Sequence, residues 1–126
     1  MTDWPGIIAA LCEERYVYLI GLFAVMAMDV ISGLIGAFAS NSFSSTKMKE
    51  GAFHKAGIVV IALFGLMIDI MSAFIEGLPF QTPLCAAFCV YLIGMEAMSI
   101  VENVVIINPE LKDSKIIKML LPSEEK

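Results

Sequence analysis

The sequence predicts an all-α membrane protein with three transmembrane helices and a short C-terminal amphipathic helix, the N-terminus outside and the C-terminus cytoplasmic. Three observations predict it. Of the 126 residues, 59% are hydrophobic and only 17% charged, with a mean hydropathy of +0.84, which is too apolar for a soluble domain of this size. The apolar residues gather in three stretches, 16–39, 57–75 and 84–107, and a hydrocarbon core about 30 Å thick needs roughly 20 helical residues to cross. The lysines of the short flanks also fall where an odd number of spans puts them on one side.

The first span, 16–39, follows an N-terminal segment in which Trp4 and Tyr16 suit a membrane interface. That segment has no basic n-region and no small-residue cleavage site, so the first span is expected to stay in the protein. A polar, Ser-rich and basic connection, 40–50, leads to the second span, and a short Pro-containing turn, 76–83, leads to the third. Helices joined that tightly are expected to be antiparallel neighbours. Asn108, Pro109 and Glu110 end the third span, and a helix over about 110–121 then combines Leu111, Ile116, Met119 and Leu120 with lysines, a pattern that suits a membrane surface. Pro122 leads to a charged tail, and one membrane domain is expected over 1–126.

Lys47, Lys49 and Lys55 lie between spans one and two, and Lys112, Lys115, Lys118 and Lys126 follow span three. They are read as cytoplasmic, lipid-facing determinants of orientation. The opposite flanks carry only Arg15, beside Glu13 and Glu14.

The net charge of -5 and the single arginine exclude nucleic acid as an expected partner, since phosphate neutralisation needs a basic stripe. Cys12, Cys85 and Cys89 form no metal-ligand spacing with the single His54, so buried thiols and no metal or cofactor are expected. His54 is read as a solvated interface residue. The chain has no phosphate-binding glycine loop, no HExxH and no nucleophile elbow. It is therefore not expected to be an enzyme.

Each span carries a carboxylate near its centre, Asp29, Asp69 and Glu96, and these are expected to share a depth near the bilayer midplane. An ionised side chain there costs at least about 2.5 kcal/mol, which makes an intramembrane acid a functional-site hypothesis. With no lysine or arginine read inside the spans, the acids are expected to be protonated, hydrogen-bonded to one another, or open to water or a cation. A serine follows each by three positions, Ser32, Ser72 and Ser99, on the same helix face. The segments Asp29-Val-Ile-Ser32 and Asp69-Ile-Met-Ser72 also match while crossing in opposite directions, as in a small inverted repeat.

Helical periodicity adds Gly33, Gly36 and Ser40 to the face of Asp29 and Ser32, and places Ala62, Gly65, Ala73 and Glu76 with Asp69 and Ser72. In span three Cys85, Cys89, Glu96, Ser99 and Asn103 align, with Glu102 about 9 Å closer to the cytoplasm than Glu96. Ile20, Phe23, Ile31, Leu34 and Phe38 in span one, and Val60, Leu63, Phe64, Ile70, Met71 and Phe74 in span two, are expected to face lipid. Two readings of the polar faces stay open. They hold helices together through small residues and hydrogen bonds, or they line a space that becomes wet when subunits assemble.

Asp29-x-x-Ser-Gly33, the connection Ser44-Ser-Thr-Lys-Met-Lys-Glu-Gly51 with Lys55, the second acid Asp69, and Glu96-Ala-Met-Ser-Ile-Val-Glu-Asn103 together resemble the phage-lysis and toxin-secretion holin family. The resemblance runs from the first span to the C-terminal helix. It implies a small protein that homo-oligomerises in the bacterial cytoplasmic membrane and opens a pore or lesion, releasing a cell-wall hydrolase or toxin. It marks Asp29, Gly33, Asp69, Glu96, Glu102 and Asn103 as motif positions and gives none of them an enzymatic role. The tail Ser123-Glu124-Glu125-Lys126 departs from the strongly basic ending of other holins, so timing control through tail charge is not carried over. The Gly/Ser/Asp face is expected to make the subunit contacts. The alternatives are a small proton- or cation-conducting channel or transporter subunit, and an antiholin-like regulator.

Overall fold

A computed structural model of the chain describes residues 3–75 and 83–121. Glu76, most of the second connection, Pro122 and the tail with Lys126 lie outside the described residues. Helix α1 runs Trp4–Ala39, α2 Ser45–Ala73, α3 Leu84–Ile107, then a 3-10 turn Pro109–Asp113 and a short α4, Lys115–Leu120. All three long helices are apolar and long enough to cross a membrane.

The spans expected at 16–39 and 57–75 are the apolar parts of longer helices, because hydropathy marks where lipid begins and capping marks where a helix begins. Asp3 caps α1 by accepting from the Gly6 amide, and Ser44 caps α2 by accepting from the Lys47 amide. At about 1.5 Å per residue, the 36 residues of α1 reach well beyond a hydrocarbon core. The end of α1 is a Schellman turn: the Ser42 amide donates to the Ala37 carbonyl and the Asn41 amide to that of Phe38. Asn41 takes the left-handed conformation that this turn requires, at φ 53°.

The C-terminal amphipathic segment is broken in two, in place of the single helix expected. Ser114 is extended, and its hydroxyl accepts from the Ile117 amide to start α4 afresh. Ile117 is buried, while Ile116 and Met119 are exposed, and Lys112, Lys115 and Lys118 stay on the surface as expected.

Helix α3 is the central element. It packs most extensively on α1, to which it is parallel, and next on α2, whereas α1 and α2 touch least. The antiparallel hairpin expected from the first connection is thus splayed, because the residues small enough to allow close approach face α3. A Cβ placed on Gly33 would lie 3.5 Å from Asn103, and one on Gly36 3.5 Å from Ile106. Gly65 brings α2 closer still: a Cβ there would lie 2.7 Å from the Phe88 ring and 3.1 Å from the Cys85 Cα. The face of Ser32, Gly33 and Gly36 packs against α3 within the subunit.

The apolar core is a layer centred on Leu22, Met26, Ile58, Ala62, Cys89 and Leu92. Ile20, Phe23, Ile31, Phe38, Val60, Leu63, Phe64 and Met71 are exposed as expected. Leu34, Ile70 and Phe74 are half-buried instead, Phe74 against the Trp4 ring.

Candidate functional site: two ion clusters across an apolar layer

Asp69 is buried on α2 at the start of α3. Its carboxylate accepts from the Arg15 Nε at 2.8 Å, the Leu84 amide at 2.8 Å and the Cys85 amide at 3.0 Å. The last two contacts explain the position. Helix α3 begins after Pro83, which supplies no capping side chain, so Asp69 satisfies its first free amides from a neighbouring helix and opposes the positive end of its dipole. Arg15 is held in turn by the Leu11 carbonyl and by Glu14, each at 3.3 Å.

At the other level Lys55 reaches inward from α2. Its ammonium donates to Asp29 Oδ2 at 2.6 Å and to Glu96 Oε2. Only 16% of the Lys55 and Asp29 side chains and 1% of Glu96 is exposed. His54 Nε2 lies 3.8 Å from the second Glu96 oxygen. The Asn103 amide donates to Asp29 Oδ1 at 3.0 Å and to Ser32 Oγ at 3.0 Å, tying α3 to α1. One basic side chain thus sits between two carboxyl groups.

These pairs correct two expectations. The acids have basic partners, and they do not share a depth. Arg15 precedes Asp29 by fourteen positions and Lys55 precedes Asp69 by fourteen. Antiparallel α1 and α2 therefore satisfy both exchanged pairs, Arg15 with Asp69 and Lys55 with Asp29, in one register. The two levels stand about 21 Å apart along the helices. A core about 30 Å thick centred on Leu22, Ala62 and Cys89 puts each cluster about 10 Å from the midplane.

Arg15, Lys55 and His54 are what a reading of the acids alone misses. Hydropathy places Arg15 in a flank and Lys55 among the lipid-facing lysines, and the fold turns both toward acids inside the bundle, while His54 stays exposed as expected with Nε2 within 4 Å of Glu96. The repeated base-to-acid spacing, on the same 40-residue offset that relates the two Asp-x-x-Ser segments, is the signal that finds Arg15 and Lys55.

A cavity of about 540 Å³ opens between α1 and α2 beside the second cluster. Asp29, Gly33, Gly36, Ser40, Lys47, Lys55, Ser99, Glu102 and Asn103 are among the residues that line it. It exists because α1 and α2 both lean on α3 and diverge from each other.

The family model of the bacteriophage holin family matches residues 6–121. The chain belongs to the bacteriophage holin family. Comparison with curated proteins and with solved structures gives no match. In this holin-family membrane protein, Asp29, Ser32, Asn103 and Glu96 meet around Lys55, while Gly33 gives Asn103 room to approach α1. Asp69 and Ser72 belong to the other level, and Ser99 and Glu102 lie on the cavity wall. The serine after each aspartate bonds backwards along its own helix: Ser32 donates to the Asp29 carbonyl at 3.1 Å and Ser72 to that of Asp69 at 2.8 Å. Lys49 is exposed and joins neither cluster.

Proposed function

We propose that the chain works as a holin: subunits accumulate in the bacterial cytoplasmic membrane, homo-oligomerise and open a lesion through which a cell-wall hydrolase or toxin leaves. The observation that carries the reading is the internal pairing of the intramembrane charges, Arg15 with Asp69 and Lys55 with Asp29 and Glu96. A subunit whose charges are satisfied internally can wait in lipid. The same charges turned toward water favour an assembled, wet state. Opening in this scheme exchanges intrasubunit ion pairs for hydration, with no need for the carboxyls to be protonated beforehand.

Orientation follows the lysines. The α1–α2 turn and the end of α3 lie at one end of the bundle, since Gly36 faces Ile106. Placing that end in the cytoplasm puts Lys47, Lys49, Lys112, Lys115 and Lys118 there and the N-terminus outside. The apolar layer of Leu22, Ala62 and Cys89 interrupts any polar path through one bundle, so the lesion forms between subunits.

The test is to induce the chain alone in bacteria while following membrane potential and the escape of a folded cytoplasmic enzyme. Abrupt depolarisation with enzyme release is expected. Depolarisation with the enzyme retained would mean a narrow proton or cation channel, and no effect would mean a regulator. Lys55→Met leaves Asp29 and Glu96 facing each other and is expected to open earlier at equal accumulation. Timing unchanged from the parent chain would defeat the charge-exchange mechanism.

A further inference from the structure

The cavity between α1 and α2 has a lining that the ion clusters do not use. Lys55 and Asp29 are committed to each other. Lys47 and Glu102 also line the cavity, and among the described residues neither side chain has an ion-pair or hydrogen-bond partner. They lie at matching heights. Lys47 precedes Lys55 by eight positions and Glu102 follows Glu96 by six, so both stand about 9–12 Å beyond the Lys55–Glu96 contact toward the same end. Val30, Leu34 and Ile106 make much of the remaining wall apolar. In a bilayer such a space is filled, and at about 540 Å³ it is large for a few bridging waters.

We propose that this cavity seats one zwitterionic aminophospholipid, with the phosphate on Lys47, the primary ammonium on Glu102 and acyl chain along the apolar wall. One free cation and one free carboxylate at the same height match a headgroup that carries both charges. A purely basic pocket would instead select anionic headgroups. A primary ammonium donates hydrogen bonds to a carboxylate, which a quaternary choline cannot do. The proposal does not depend on lesion formation, because an unassembled subunit already contains the cavity.

The experiment uses the full chain reconstituted in phosphatidylcholine vesicles doped with phosphatidylethanolamine, phosphatidylcholine or phosphatidylglycerol bearing a diazirine in one acyl chain. Covalent attachment is mapped by mass spectrometry. Labelling of the cavity walls on α1 and α2 is expected, with the ethanolamine probe favoured about fivefold over the choline probe, the scale of one ordinary net hydrogen bond at a solvent-accessible site. Glu102→Gln is expected to abolish that preference, and Lys47→Gln to reduce capture of all three probes. Gly51 lines the cavity and a Cβ there meets nothing within 4 Å, so Gly51→Leu is expected to block labelling with helix content unchanged. Labelling spread evenly around the three helices, or unaffected by a folded Gly51→Leu chain, overturns the site. Preference for the glycerol probe overturns the zwitterionic assignment. Should Gly51→Leu fail to fold, the exposed Glu102→Gln change decides alone: an unaltered ethanolamine preference overturns the proposal.

Discussion

Asp69 does two jobs with one carboxylate, neutralising Arg15 and capping α3. Asp69→Asn removes the charge while Arg15 stays 11% exposed, and breaking a buried pair from one side costs about 3–5 kcal/mol. Unfolding in detergent micelles, followed by helix content, checks that figure. Exchanging the partners, Arg15→Asp with Asp69→Arg, restores the ion pair on paper but puts a cation against the free amides of α3. The double variant is expected to be at least as unstable as Asp69→Asn, and full recovery would show that the cap contributes nothing. The other cluster has no helix terminus in it. Among the described residues its charges answer to one another, to Asn103 and to His54.

At the scale of elements, glycine placement decides which helices touch. Gly65→Val forces α2 off α3 at Phe88 and Cys85, next to the Asp69 cap, and overpacking of this kind costs about 1–3 kcal/mol. A methyl group added at Gly57 would meet nothing within 4 Å, so Gly57→Ala is expected to raise subunit stability by about 0.5–1 kcal/mol through helix propensity. The same unfolding assay reads both changes. If Gly57→Ala leaves the isolated subunit more stable yet delays enzyme release, the outer face of α2 takes part in assembly. The apolar lengths of the helices were legible in the sequence, but the start of α2 at the Ser44 cap, well before its apolar stretch, was not, because hydropathy does not mark a capping hydrogen bond. The packing order of the helices was not legible either, because a short connection says that two helices are antiparallel and nothing about how far they splay.

For the whole molecule, the apolar layer separates two polar levels, and its integrity belongs to the closed subunit. Leu22 is fully buried there, and Leu22→Ala is expected to cost about 2–5 kcal/mol. Because the proposed lesion runs between subunits, the size limit for released reporter enzymes is expected to stay the same while its onset moves earlier. A changed size limit would place the path inside the bundle. Hydropathy and periodicity by themselves determined three spans, the buried faces of α2 and α3, and the candidate acids, since lipid and helical geometry act on residues close in the chain. Only the tertiary structure decided that Asp69 leaves Asp29 and Glu96 for Arg15, that Lys55 turns inward, and that α1 and α2 part to form a cavity. Those outcomes depend on which charge finds which partner across helices, a choice made by antiparallel register and close packing on α3.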